Sequence, residues 1–275
     1  MPELPEVETI ARGLQQVLPG RVIKKADVRY AGTLRQKAES FKEQVQGRTI
    51  VRVWRRGKLL IFDLDARGHL VFHLKMTGRV LLPDQDQQPD RHTHLIFALD
   101  NASRVFFHDQ RKFGYCRLFD AEGLCNWSFF QCLGPEPHVI SAGQFARRFI
   151  QKKARIKALL LDQSMVAGIG NIYADESLFM AGIHPETPAH RLSLDGLADL
   201  HSALVNVLDQ AIAAGGSSFR DYRNAQGQAG MFQEKFLIYG RKGRCCPRCD
   251  ASVESVRVAG RSSCICPVCQ VLPEK

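Results

Sequence analysis

Short apolar or alternating runs recur through the first half of the chain: Thr49–Trp54, Leu59–Leu64, His69–Leu74, Arg79–Leu82, His94–Leu99, Arg104–His108 and Tyr115–Phe119. Alternation of this kind suits strands with one buried face. Gly57, Gly68, Gly78, Pro83, Asp100-Asn101 and Gly114 interrupt the runs at the spacing of a β-sandwich. Ahead of them Val7, Ile10, Ala11, Leu14, Val17 and Leu18 share one helical face. From Gln144 to about Gly215 the period turns helical, in Phe145–Ile150, Ile156–Leu161, Ile172–Met180 and Leu194–Ala213. Gly134-Pro135-Glu136-Pro137 marks the change and reads as a hinge. Gly215–Gly230, rich in Gly, Ser, Gln and Asn, reads as a loop over a site.

Cysteine placement adds a third region. Cys116, Cys125 and Cys132 are scattered and read as small core residues. Six others crowd the C-terminus, where Cys246-Pro-Arg-Cys249 and Cys266-Pro-Val-Cys269 form two C-x-x-C knuckles 16 residues apart. Two knuckles at that separation point to one structural zinc held by Cys246, Cys249, Cys266 and Cys269. Cys245 and Cys264 are spare thiols that leave some ambiguity in the ligand set. Ser252–Val258 and Arg261–Cys264, with Gly260 between them, form a candidate β-hairpin that brings the knuckles together. The domains expected are therefore 1–133, 134–239 and 240–275.

Charge narrows the partner. Lys and Arg number 38 against 28 Asp and Glu, a net +10. A polyanion is the expected partner, and without a basic amphipathic helix nucleic acid is favoured over a membrane. Residues 240–275 alone hold seven Lys/Arg against three acids, so the zinc module is expected to touch phosphate. No apolar run reaches membrane-spanning length, and the acidic start does not resemble a signal peptide.

The opening Met1-Pro2-Glu3-Leu4-Pro5-Glu6 carries candidate chemistry. Removal of Met1 leaves Pro2 with a free secondary amine. An α-amine titrates near ~7.7–8.0 against ~10.4 for lysine, so roughly a tenth of it is neutral at pH 7. Condensed with an aldehyde it gives a cationic iminium that acts as an electron sink without a further proton. Glu3 and Glu6 are placed for proton transfers. Pro5 at the first helical position, with Glu6 and Glu8 complementing the helix dipole, is the plain structural alternative, which leaves Pro2 unexplained.

Four motifs together resemble one family. Met1-Pro2-Glu3-Leu4-Pro5-Glu6-Val7-Glu8-Thr9, Gly134-Pro135-Glu136-Pro137, Gly168-Ile169-Gly170-Asn171-Ile172-Tyr173-Ala174-Asp175-Glu176 and Tyr239-Gly240-Arg241-Lys242-Gly243 follow the order of the bacterial formamidopyrimidine-DNA glycosylases. The resemblance spans essentially the whole chain. It implies an α+β protein: an N-terminal β-sandwich with a flanking helix, a helix–two-turns–helix module and a C-terminal β-hairpin zinc finger. It implies base excision repair of damaged duplex DNA by a monomer, in the bacterial cytoplasm at the nucleoid. The activity would be that of a bifunctional glycosylase (a hydrolase of N-glycosyl bonds) and AP lyase. It would excise 8-oxoguanine and formamidopyrimidines through a Schiff base on the terminal proline, followed by β,δ-elimination.

Residue roles follow from that resemblance. Pro2 would be the nucleophile, Glu3 the proton donor to the sugar and Glu6 a support for the amine. Lys58 would be the β-hairpin lysine that reaches DNA near the lesion. Met76, Arg111 and Phe113 would fill the gap left by the extruded nucleotide, with Arg111 on the orphaned base. Lys157, Asn171 and Arg261 would contact phosphate, and His92 and His94 could face DNA. Two alternatives stay open. One is an endonuclease VIII-type glycosylase for oxidised pyrimidines, although that branch has glycine where this chain has Leu4. The other is an inactive zinc-dependent damage-binding protein.

Overall fold

The structure, a computed structural model, describes residues 1–218 and 224–273. It divides into two compact units, Met1–Gln131 with Ile212–Gln233, and Cys132–Ala211 with Glu234–Lys275. Among the described residues no helix is long and apolar enough to cross a membrane.

In the first unit the chain runs α1 (Leu4–Gln15), β1 (Ile23–Val28), α2 (Ala38–Val45), β2 (Ile50–Arg56), β3 (Leu59–Leu64), β4 (Gly68–His73), β5 (Gly78–Leu81), β6 (Thr93–Leu99), β7 (Arg104–Asp109), β8 (Tyr115–Phe119), α3 (Ala121–Asn126) and α4 (Ser128–Gln131). The strands form two four-stranded antiparallel sheets, ordered β1-β6-β7-β5 and β2-β3-β4-β8. Phe62 and Phe72 of one sheet meet Phe97 and Phe107 of the other, with Phe72 ring centroids 6.3 and 5.6 Å from the latter two. All four are buried, each contributing about 1.5–3 kcal/mol of hydrophobic burial. The sandwich core thus rests on inward positions of alternating strands.

Two connections decide where the candidate site lies. β4 continues into β5 and β7 into β8, and each link passes from one sheet to the other. Gly78 pairs with Asp109 and His73 with Tyr115, so the two crossing turns emerge side by side. The Ile212–Gln233 segment joins this unit: Ala225 is buried in its core and accepts the Leu82 N–H at 2.8 Å. The expected site loop over 215–230 lies partly outside the described residues, at 219–223.

Helix α1 starts at Leu4, one residue before the expected first position at Pro5. Glu3 is its N-cap, and Glu6 returns in a capping box to accept the Glu3 N–H at 2.9 Å. The second unit holds α5 (Ala142–Phe149), α6 (Ile156–Leu161), α7 (Asn171–Met180), most of α8 (Leu194–Ala213), and the β9 (Glu254–Val258) and β10 (Arg261–Ile265) hairpin. Residues Tyr173–Phe179 of α7 are all buried, so this helix forms the centre of the unit. Ala259 and Gly260 at φ 49° and 72° turn the hairpin, the left-handed pair that a two-residue antiparallel turn requires.

Candidate active site and nucleic-acid interface

Pro2 is buried immediately ahead of the α1 N-cap. Glu3 and Glu6 are 3% and 2% exposed, so two acidic residues are buried within four positions of Pro2. Glu6 is held at both oxygens: Oε2 accepts the Glu3 N–H, and Oε1 accepts the Ser217 N–H at 2.7 Å. Those bonds fix the helix start against the Ser217 segment. Ser217, a residue the sequence reading did not single out for this, is thereby tied to the first turn of α1. A contact 211 residues apart in sequence leaves no local signal.

Lys58 sits in the β2–β3 turn after Gly57, whose φ of 57° suits glycine. It is buried, and Arg55 of the same hairpin pairs with Glu8 of α1 at 2.6 Å. The hairpin is thus tied to the helix that begins beside Pro2. His73, opposite Leu59 in the β3–β4 register, lies next to this turn. Burial, then the charges of Lys75 and Lys58, push its imidazole down to about 3 from an ordinary 6.5. The neutral ring accepts the Lys75 N–H on Nδ1 at 3.1 Å.

That depression has a pH signature. Between about 3 and 6.5 the unfolded chain binds the His73 proton and the folded chain does not. Stability therefore falls as pH drops through that window, by up to about 1.4 kcal/mol per unit from this residue. It is unaffected above 6.5. Trp54 and Trp127 both lie in this unit. Urea midpoints followed by tryptophan fluorescence should fall between about pH 7 and pH 5, and His73→Gln should shrink the fall. An identical fall in the variant would remove His73 as its source.

Met76 sits half-buried in the β4–β5 turn, while Arg111 and Phe113 are exposed in the β7–β8 loop. The Arg111 guanidinium lies 4.7 Å over the Phe113 ring, and Phe113 is 52% exposed, an unusual position for a large aromatic. Neither loop can widen freely. A Cβ on Gly78 would come within 2.4 Å of the Leu74 carbonyl, and one on Gly114 within 2.9 Å of Phe107. His92 is half-buried beside this edge, its Nε2 3.1 Å from Arg91 Nε and its carbonyl accepting the Asp109 N–H. His94 differs from expectation. It is 1% exposed, its Nε2 is bonded to the Asp109 carbonyl at 2.7 Å, and it serves the core rather than a DNA-facing surface.

In the second unit the structure brings together Lys157, Asn171 and the β10 strand that begins at Arg261. Lys157, expected at a phosphate, is instead fully buried. Its ammonium pairs with Asp175 at 2.6 Å and donates to the Ser263 hydroxyl. Burial pushes Asp175 up and Lys157 pulls it partway back, leaving it at about 6, so the carboxylate needs this cation where it lies. Asn171 opens α7 and donates to the Ser262 carbonyl at 3.0 Å, and Arg261 beside it is exposed. Glu176 accepts the N–H groups of Leu237, Ile238 and Tyr239 at 2.9, 3.0 and 2.7 Å. Asp175 and Glu176 thus bolt the chain leading into the zinc module, and the module itself, onto α7.

The Sγ atoms of Cys246, Cys249, Cys266 and Cys269 all lie within 4.8 Å of one another, with individual separations of 3.4 to 3.9 Å. Tetrahedral zinc at about 2.3 Å from each sulfur sets sulfurs roughly 3.8 Å apart, so the four form a site for one zinc ion. The N–H groups of Arg248 and Cys269 point at Cys246 and Cys266 sulfurs, as thiolates want. Cys245 is exposed and Cys264 lies in β10, so neither belongs to the cluster. Four thiolates fill the coordination shell and give the metal a structural role.

Known proteins agree across the chain. The formamidopyrimidine-DNA glycosylase N-terminal domain matches residues 1–116, the formamidopyrimidine-DNA glycosylase H2TH domain residues 133–223, and the zinc finger found in FPG and IleRS residues 246–271. A formamidopyrimidine-DNA glycosylase of Desulfitobacterium hafniense is 43% identical over 98% of this chain and 100% of its own length. A Lactococcus lactis FPG mutant in complex with Fapy-dG-containing DNA superposes with a TM-score of 0.92, at 36% identity, covering 98% of this chain and 100% of that one. The wild-type Lactococcus lactis FPG, in complex with DNA containing an oxidised pyrimidine, gives 0.91 at 35% identity with the same coverage.

Proposed function

The chain belongs to the formamidopyrimidine-DNA glycosylase family, and we propose that it removes oxidised purines from duplex DNA and then cuts the abasic strand, using Pro2 as its nucleophile. The observation that carries this is the buried Pro2 flanked by Glu3 and Glu6, with Glu6 holding the Ser217 segment in place. Met1 is 43% exposed, and its removal leaves the Pro2 ring nitrogen as the terminal amine, two buried acidic residues following it within four positions.

The Pro2 nitrogen attacks C1′ as the bond to the damaged base breaks, and the base leaves with the bonding pair and takes up the proton that the amine gives up. Glu3 donates a proton to the sugar ring oxygen, the ring opens and an iminium forms. The iminium acidifies the C2′ proton. Its removal expels the 3′ phosphate, and a second elimination expels the 5′ phosphate, leaving a one-nucleotide gap. Glu6, already accepting two N–H groups, orients the amine rather than transferring protons. Lys58 holds the backbone near the lesion.

Base removal from a duplex requires extrusion. Met76 and Phe113 are given the role of apolar wedge, and Arg111 reads the orphaned base with His92 beside it. In the second unit Asn171 and Arg261 contact phosphates, while Lys157 supports them from within by fastening Ser263. The three segments 1–133, 134–239 and 240–275 keep their proposed roles in catalysis, DNA binding and zinc-stabilised binding, with 212–233 contributed to the first. The protein acts as a monomer in the cytoplasm, on the nucleoid.

Single-turnover excision tests substrate class. Cytosine offers O2 and N3 acceptors to the Arg111 guanidinium, whereas adenine sets an amino donor beside N1. Excision of 8-oxoguanine is expected to be roughly ten- to hundredfold faster opposite cytosine than opposite adenine, the worth of one bidentate match. Arg111→Ala should flatten that ratio while lowering activity. Since a solved relative is in complex with DNA containing an oxidised pyrimidine, a thymine glycol duplex runs beside these. Faster excision of thymine glycol would move the chain to pyrimidine substrates.

A further inference from the structure

Asp109, at the end of β7, is completely buried and touches both crossing turns. Its Oδ1 accepts the Thr77 hydroxyl, from the Met76 turn, and the Arg111 N–H at 3.2 Å. Its Oδ2 accepts the Gly114 N–H at 2.7 Å. The Thr77 oxygen in turn accepts the Arg111 N–H at 3.2 Å, so one carboxylate and one hydroxyl knot the two turns together. The Asp109 backbone is engaged as well, its N–H on the His92 carbonyl and its carbonyl on His94 Nε2. Neither turn is relaxed by itself, since Lys75 and Lys112 sit at φ 52° and 56°, where non-glycine residues stay only if their surroundings hold them.

We infer that Asp109, acting through the Thr77 hydroxyl, is the positioning residue that makes the Met76 turn and the Arg111–Phe113 loop one rigid wedge, and so sets how efficiently the duplex is opened. This rests on the wedge role given above to those three side chains. The chemistry of the pair fits the task. Every described contact on the carboxylate comes from a donor, so an amide at this position would turn an NH2 group toward another donor. The hydroxyl both donates and accepts, which a methyl cannot do. A loose Met76 turn would leave insertion of the wedge to chance while Pro2 chemistry stayed intact.

Thr77→Val keeps shape and removes the link, Thr77→Ser restores the hydroxyl, and Asp109→Asn is the harsher change. A 2-aminopurine beside an 8-oxoguanine reports opening of the stack, and a single-stranded abasic oligonucleotide reports lyase chemistry that needs no wedge. Thr77→Val should show a smaller 2-aminopurine rise and about tenfold slower excision from duplex, the worth of one buried hydrogen bond to a charged group. Single-strand cleavage should be unchanged, and Thr77→Ser should return both duplex readouts to within about twofold. Asp109→Asn should lose more on duplex than Thr77→Val. Wild-type opening and excision in Thr77→Val would overturn the proposal. So would a parallel loss of single-strand cleavage, which is what residues serving only the fold would give. A wild-type protein without any 2-aminopurine rise would instead overturn the wedge role itself.

Discussion

Retaining Met1 on Pro2 is expected to reduce base excision and strand cleavage by about a thousandfold or more, while lesion duplex still binds. The acylated proline nitrogen has no lone pair to offer, so no iminium forms on Pro2 and the intermediate that carries both steps is lost. Pro2→Gly is a gentler change. It keeps a terminal amine of similar basicity, near ~7.7–8.0, but gives an imine that must be protonated before it can draw electrons from C2′. Its lyase step should therefore suffer more than its binding. Borohydride reduction on an 8-oxoguanine duplex should couple wild-type protein to DNA through its N-terminal peptide. The coupling should vanish when Met1 is retained. A crosslink that maps to Lys58, at wild-type rate in both variants, would make a lysine the nucleophile and reverse the assignment of Pro2. Lysine starts at a disadvantage, with well under a thousandth neutral at pH 7 unless its pKa is lowered.

The elements that sequence patterning located best are those whose apolar positions repeat without interruption. β3, β8, α6 and α8 fall on the expected residues, and β2, β4, β5, β6 and β7 lie within about two residues of them. β1 escaped because a bulge between Ile23 and Lys25 breaks the period of two, and because Lys24, Lys25 and Asp27 make it look like a solvated loop. α2 has only Phe41 and Val45 on its buried side, too little to show a helical stripe. The amine and the zinc knuckles were legible since their chemistry is carried by neighbours in sequence. What held them was not. Glu6 meets Ser217, Thr77 meets Asp109 and Lys157 meets Asp175 only after folding. Lys157 is the instructive case: within the run Lys152, Lys153, Arg155 it reads as surface charge, and only a buried carboxylate 18 residues on turns it inward.

Cys249→Ser should abolish DNA binding, because the metal holds the phosphate-facing hairpin in place. A structural zinc supplies about 10–16 kcal/mol to a small module. Whole domains are stable by only about 5–15 kcal/mol, so the hairpin has no reserve once a thiolate is lost. The damage would spread through named contacts. Arg248, in the first knuckle, donates to the Phe179 and Met180 carbonyls at 2.8 and 2.9 Å and caps the end of α7. Gln270, after the second, bridges the Cys266 N–H to the Ile183 carbonyl. With these released, Ser262 leaves Asn171, Cys264 leaves Asp175, and Arg261 loses its fixed place at the head of β10. The buried Lys157–Asp175 pair would then lose the Ser263 hydroxyl and part of its shelter, a costly state for two charges. Zinc content should fall from one per chain to near zero, and lesion-duplex affinity by at least about a hundredfold. Cys245→Ser and Cys264→Ser should retain the metal and bind normally, since neither sulfur is in the cluster. Stoichiometric zinc in Cys249→Ser, lost only when Cys245 or Cys264 is also replaced, would show a spare thiol taking the vacant position and would overturn the ligand set.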